Sequence, residues 1–187
     1  MLKKITTKDI TQISLSTALL AIASLIVIPV GMVPITLQVV FFLLIPAILG
    51  SGKSMLVIGL YMLAGLVGLP VFAGGASGIG QFLSPSFGYI LGALPAGWFV
   101  GKGINRNTTR IHNGLIMMSG VLILYAVGIT YQYSLLNGVL NTPVHLSAIL
   151  MTNLTVFLPV DILKVLAAAV VFERLKKLSV YKRIDRY

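Results

Sequence analysis

Cysteine is absent from the 187 residues, which excludes disulfides and thiolate metal sites. Histidine is nearly as scarce. His112 and His145 lie far apart, with no spacing that suits a metal ligand pair. Charged residues make up only 10% of the chain, against about 25% in an ordinary soluble domain. A water-soluble globule of this length would lack the polar surface to cover itself. What fills the sequence instead is apolar, at 57% of residues. Lipid is the solvent in which such a chain is stable, and the length suits one domain. No internal repeat is visible, which weighs against an inverted-repeat secondary transporter.

The formal net charge is +10. In a soluble protein that would point to nucleic acid. Here the basic residues sit between apolar runs and at the chain ends, the pattern of topology signals, so no nucleic-acid partner is expected. Lys3, Lys4 and Lys8 precede an apolar run containing Ala21-Ile22-Ala23, which resembles a signal peptide. That Ala-x-Ala lies inside the run, which continues to Ile28, so a first transmembrane helix is the better reading.

The apolar runs predict an all-α, polytopic membrane protein with six transmembrane helices in a single domain spanning 1–187. The spans fall near Ile10–Ile28, Ile35–Leu49, Ser54–Leu69, Phe87–Val100, Leu115–Leu136 and Pro159–Phe172. Pro29, Gly31 and Pro34 separate the first two. Residues 70–85 form a Gly-rich outer loop, and 1–9 and 174–187 are basic cytoplasmic ends. The apolar stretch Thr142 to Phe157 carries Pro143 and Asn153 and reads as a separate short helix at the surface or dipping in. With both termini in the cytoplasm, every one of the 14 basic residues except Lys164 falls on the inner side, and the three outer loops hold none. Five or seven spans would put basic clusters on both sides.

Lys164 is left inside the membrane, with Asp161 three residues before it on the same helix face. Each charge costs about 2.5–3.5 kcal/mol at a helix centre, so the pair implies mutual neutralisation, a wet cavity or a ligand. Pro159 suits the first turn of the last span. That would place Asp161 near a helix N-terminus, where the dipole favours a carboxylate. An internal ion pair without function is the bland alternative. Gln38, Gln81, Ser84, Tyr89 and Asn153 are predicted on the same outer side. Each alone reads as an interfacial or capping residue, but their shared side suggests one cavity.

Other features carry less. Residues Ala47 to Ser54 resemble a P-loop but lack its first Gly and join two helices, so no nucleotide site is expected. Ser14 and Ala18, with Thr17 and Ala21 one face over, are small residues spaced by four, as are Ala93, Gly97 and Gly101. Such stripes serve either internal packing or docking of another membrane protein.

Three stretches together resemble the BioY family, the biotin-specific substrate-binding subunits (S components) of energy-coupling factor (ECF) transporters. They are Val33-Pro-Ile-Thr-Leu-Gln38; Gly68 to Gly75 continuing into Pro85 to Gly92; and Leu158-Pro-Val-Asp161-Ile-Leu-Lys164. The resemblance covers nearly the whole chain. The family usually has Gly-Pro-Thr-Gly-Gly-Tyr at Ser84–Tyr89 and Pro-Gly-Asp at Pro159–Asp161.

The resemblance implies high-affinity biotin uptake across a bacterial cytoplasmic membrane. It further implies a transmembrane coupling protein (the T component) and two ATPases as partners, and no enzyme activity, metal or cofactor in this chain. Biotin would be bound by Asp161, Lys164, Tyr89, Gln81, Asn153, Gln38 and Phe72, under an outer lid at residues 74–80. The Ser14/Ala18 or Thr17/Ala21 stripe would serve docking, where S components tend to carry Ala-x-x-x-Ala. The alternatives are an S component for another vitamin and a stand-alone proton-coupled secondary transporter.

Overall fold

The computed structural model describes residues 5–105 and 107–177. Lys3, Lys4, Arg106 and the segment 178–187, with Lys182, Arg183 and Arg186, lie outside the described residues. Helix α1 (Thr7–Leu25) opens on a capping box. The Asp9 N–H donates to Thr6 Oγ1 at 3.2 Å, and the Thr6 N–H donates to Asp9 Oδ2 at 2.9 Å. Two donors that a helix start leaves open are thereby satisfied. Beyond α1, Val27–Ile28 pairs antiparallel with Ile35–Thr36, closing the Pro/Gly turn between them. This two-residue ladder is the one departure from an all-helical chain among the described residues.

The next helical segment, α2 (Gln38–Leu66), is broken at Gly50 (φ 79°, ψ 174°), a conformation that glycine adopts without a Cβ penalty. A straight helix would hold residues 38 and 61 about 35 Å apart. Instead the Gln38 side-chain amide donates to the Tyr61 hydroxyl, and the Phe42 and Tyr61 rings sit 6.5 Å apart. Residues 38–49 and 51–66 are therefore the two arms of a hairpin. The P-loop look-alike is the turn of that hairpin. Three segments are long and apolar enough to cross a bilayer by composition: Gln38–Leu66, Arg110–Val139 and Leu146–Lys177. The first is this hairpin, whose arms measure about 18 and 24 Å.

Helix α3 (Phe87–Gly103) packs on the α2 arms and on α4 (Arg110–Ser134), with Thr109 capping α4 through the His112 N–H. A Cβ on Gly101 would overlap the backbone of Ser51, and one on Gly97 would lie 2.9 Å from Ile58. The Ala93/Gly97/Gly101 stripe thus serves internal packing, and its alternative as a docking face falls away.

Helices α5 (Leu146–Thr152) and α6 (Leu158–Lys177) are joined by a π-helical turn, Asn153–Phe157, into one helix of 32 residues. This corrects the expectation of a separate surface helix before a span beginning at Pro159. Proline in a helix loses an N–H and crowds the carbonyl four residues back. The widened turn immediately before Pro159 absorbs that conflict. Thr152 and Thr155 hydroxyls return hydrogen bonds to the Ala148 and Met151 carbonyls.

The ends of the bundle differ in charge. Lys53 in the α2 turn pairs with Asp9 and donates to Gln12 Oε1 at 2.8 Å. Lys176 at the end of α6 reaches the Thr108 carbonyl before α4. The start of α1, the α2 turn, the end of α3, the start of α4 and the end of α6 therefore gather at one end. Every described basic residue except Lys164 lies there. The other end holds the connections 26–37, 67–86 and 135–145. Between the ends the outer surface is apolar, with Leu15, Leu63, Leu122 and Leu163 each more than half exposed, the inverse of a soluble protein.

A buried ion pair on the wall of an internal cavity

At the loop end the helices do not close on one another. They leave a cavity of about 230 Å³. Its wall comes from the β-ladder segment (Thr36), the first α2 arm (Gln38, Phe42), the 67–86 loop (Phe72, Gln81, Ser84), α3 (Tyr89), α4 (Tyr125) and α6 (Asp161, Lys164). Aromatic residues prop it open. Phe72 stacks edge-on to Tyr61 at 5.5 Å and to Phe87 at 6.0 Å, and its ring occupies the space a side chain on Gly65 would need. Tyr89 lies against Gly128 in the same way and meets Tyr125 edge-on at 6.2 Å.

Asp161 and Lys164 are buried, 3% and 8% exposed. Lys164 Nζ donates to Asp161 Oδ1 at 2.7 Å, and the Tyr125 hydroxyl donates to Asp161 Oδ2 at 2.7 Å. The carboxylate is held by one cation and one hydroxyl, in strong charge-assisted bonds. The helix dipole has no part in this. Because the helix begins at Leu146, the N–H groups near Asp161 belong to a continuous rod, and the expected N-terminal position does not exist.

A second polar group surrounds Gln38. It takes a hydrogen bond from Thr36 Oγ1 at 3.0 Å and donates to Tyr61. Across the cavity the Tyr89 hydroxyl lies 2.9 Å from Asn153 Oδ1 and 3.1 Å from Gln132 Oε1. One hydroxyl proton serves one acceptor. Asn153 already spends its amide N–H on the Ile149 carbonyl at 2.9 Å, so Asn153 takes the Tyr89 proton. Gln132 Oε1 lies at the same hydroxyl at the longer distance, and an amide turned end for end there would donate to it.

Of the residues picked from sequence, Asp161, Lys164, Tyr89, Gln81, Gln38 and Phe72 all line the cavity. Asn153 does not. It stands behind Tyr89, in the π turn, beside a neighbouring hollow. Sequence reasoning missed Tyr125, Gln132 and Thr36. Tyr125 and Gln132 are seven residues apart on α4, two helical turns, and form a polar stripe on an apolar helix with Gly128 between them. That spacing was the available signal. Among the four small residues of α1, Ser14 and Ala18 are exposed, whereas Thr17 and Ala21 are half-buried. No group of three or more His, Cys, Asp or Glu side chains converges among the described residues.

An apolar-skinned helical bundle with a polar, ion-paired hollow under its loops is a multi-pass membrane protein with a site for a small molecule. The chain belongs to the BioY family, whose profile matches residues 1–180. It is 36% identical over 95% of its length to a probable biotin transporter BioY of Lysinibacillus sphaericus, of which the match covers 91%. It is 31% identical to the biotin transporter BioY of Thermotoga maritima, over 92% of this chain and 98% of that one. Its fold superposes on a crystal structure of the S component for biotin from an ECF-type ABC transporter, with TM-score 0.82 and 28% identity, covering 98% of this chain and 100% of the other.

Proposed function

We propose that this chain captures biotin at the outer face of a bacterial cytoplasmic membrane, as the S component of an ECF-type transporter. The observation that carries the reading is the Asp161–Lys164 pair on the wall of the internal cavity. Biotin presents a ureido ring with two N–H donors and one carbonyl, an apolar thioether ring and a carboxylate tail. A carboxylate offers about four lone-pair sites, and Asp161 spends two on Lys164 and Tyr125. The remainder accept the ureido N–H groups. Lys164 keeps N–H donors for a ligand oxygen. Phe72 and Tyr89 wall the ring system. The Gln81 side chain, without a partner among the described residues, and Gln38 supply neutral hydrogen bonds. Asn153 acts on the ligand through Tyr89. The 74–80 loop is the lid, its glycines permitting the backbone change that opening needs.

In this reading the chain crosses the membrane six times with both termini in the cytoplasm. The two α2 arms count as separate crossings, and the basic end faces inward. That end carries the charge the positive-inside rule expects. A T component and two ATPases supply the energy, and no cofactor takes part, biotin being cargo. The exposed Ser14/Ala18 face of α1 is the better docking surface, since Thr17 and Ala21 turn partly inward. The test is binding of labelled biotin by the purified chain. Asp161→Asn should weaken it by more than tenfold, about 1.4 kcal/mol or more. Unchanged affinity in a folded variant defeats the assignment.

A further inference from the structure

Away from the cavity, α4 and α6 leave an open groove on the lipid-facing surface. Its floor and sides are Gly114, Leu115 and Met118 of α4 and Val165, Leu166 and Ala169 of α6, enclosing about 470 Å³. A Cβ on Gly114 would meet nothing within 4 Å, so the missing side chain opens the channel. At its basic end the groove runs into a hollow lined by Arg110, Arg174 and Lys177, and Arg110 borders both spaces. All three cations are exposed, with no hydrogen bond or ion pair to a described residue. Glu173 also lines the hollow, but its carboxylate is held by Lys176 at 3.2 Å and approached by Asn113 Nδ2 at 3.4 Å. The net field there is positive.

We propose that this groove binds one anionic phospholipid, with the phosphate between Arg110, Arg174 and Lys177 and an acyl chain laid along Gly114. Two features fit one molecule. The apolar channel continues directly into the cation cluster. From Ile162 to Lys177 the helix rises about 22 Å, a length suited to one acyl chain below its headgroup. Arginine favours phosphate by its fork of donors, and each basic residue near a membrane surface strengthens attraction to anionic lipid. A transmembrane helix from another protein would fill the apolar channel and leave the three cations unanswered.

The experiment uses the full chain in nanodiscs of equal phosphatidylglycerol and phosphatidylcholine, with retained lipid read by native mass spectrometry. One phosphatidylglycerol should be retained in preference to phosphatidylcholine, and Arg110→Ala/Arg174→Ala should weaken that preference about fivefold per charge removed. Gly114→Phe, which fills the channel without altering charge, should also reduce it. Lys102→Ala, a charge loss outside the groove, should not. Undiminished biotin binding by each variant certifies the fold. Equal retention of both lipids by the native chain overturns the proposal, as does a Gly114→Phe chain that retains phosphatidylglycerol unchanged. Loss of assembly with partner proteins in Gly114→Phe, with lipid retention intact, also overturns it and assigns the groove to protein.

Discussion

At the basic end of the bundle glycine brings backbones together; at the loop end glycine seats aromatic rings. Gly101 lets α3 reach the Ser51 backbone, leaving no room for a side chain. Gly65 and Gly128 instead accept the rings of Phe72 and Tyr89. Those rings hold the helices apart, and the cavity is the result. Close backbone contact ties α3 tightly to the α2 turn. Rings crossing edge-to-face at 5.5 to 6.2 Å give a rigid frame whose interior stays open to polar groups. The difference teaches that Gly101 on one side and Gly65 and Gly128 on the other serve two devices, distinguished by what occupies the space each glycine frees.

The sharpest way to break that comparison is to remove a charge from the open end. Asp161→Ala leaves Lys164 buried and unpaired, which should cost about 3–5 kcal/mol of stability and abolish biotin binding. Thermal melting followed by size-exclusion chromatography checks the first effect. Asp161→Asn/Lys164→Gln should recover most of the stability and none of the binding, because the neutral pair has no stranded charge. A double variant as unstable as Asp161→Ala would mean that the pair is needed chiefly to hold the fold.

At the basic end, Gly101→Ala should cost about 1–3 kcal/mol through overpacking against the Ser51 backbone, with biotin affinity unchanged in the protein that remains folded. Tyr125→Phe removes a hydrogen bond to a charged group and should cost about 1.5 kcal/mol or more of ligand affinity or stability, read by titration calorimetry and melting together.

The smallest effect belongs to the contact that ties α1 to the α2 turn. The Lys53 ammonium, with help from the Thr6 N–H and hydroxyl, holds the Asp9 carboxyl well below the usual carboxylate range. A depressed folded-state pKa contributes stability above the ordinary carboxylate value of about 4, lost as pH falls through the lower folded value. Asp9→Asn should therefore lower the melting temperature slightly at pH 7, with the gap to the native chain narrowing at pH 3. Asp9 is near the surface, so solvent and salt weaken the contact.

Much of the site was legible because intramembrane charge is rare. Asp161 and Lys164 announced themselves by cost, and the polar residues of the loop-end connections followed by their shared side. The breaks at residues 29–34 and at Gly50 stood out as Gly and Pro within apolar text. Two things were hidden. Pro159 looks like a helix start, and only the π turn that absorbs it shows a helix beginning at Leu146. Tyr125 and Gln132 look like ordinary helix residues until α3 places Tyr89 against Gly128 between them.

By itself, the sequence settled the solvent, the segregation of basic residues from the apolar spans and the presence of a costly polar pair. These follow from hydropathy and charge, which each residue carries wherever it lies. The tertiary structure decided which oxygen of Asp161 meets Lys164 and which meets Tyr125, that Asn153 supports Tyr89 from behind, and that Gly101 admits a backbone where Gly65 and Gly128 admit rings. Those are outcomes of distance between residues far apart in the chain, and hydrogen bonds and close packing exist only once that distance is fixed.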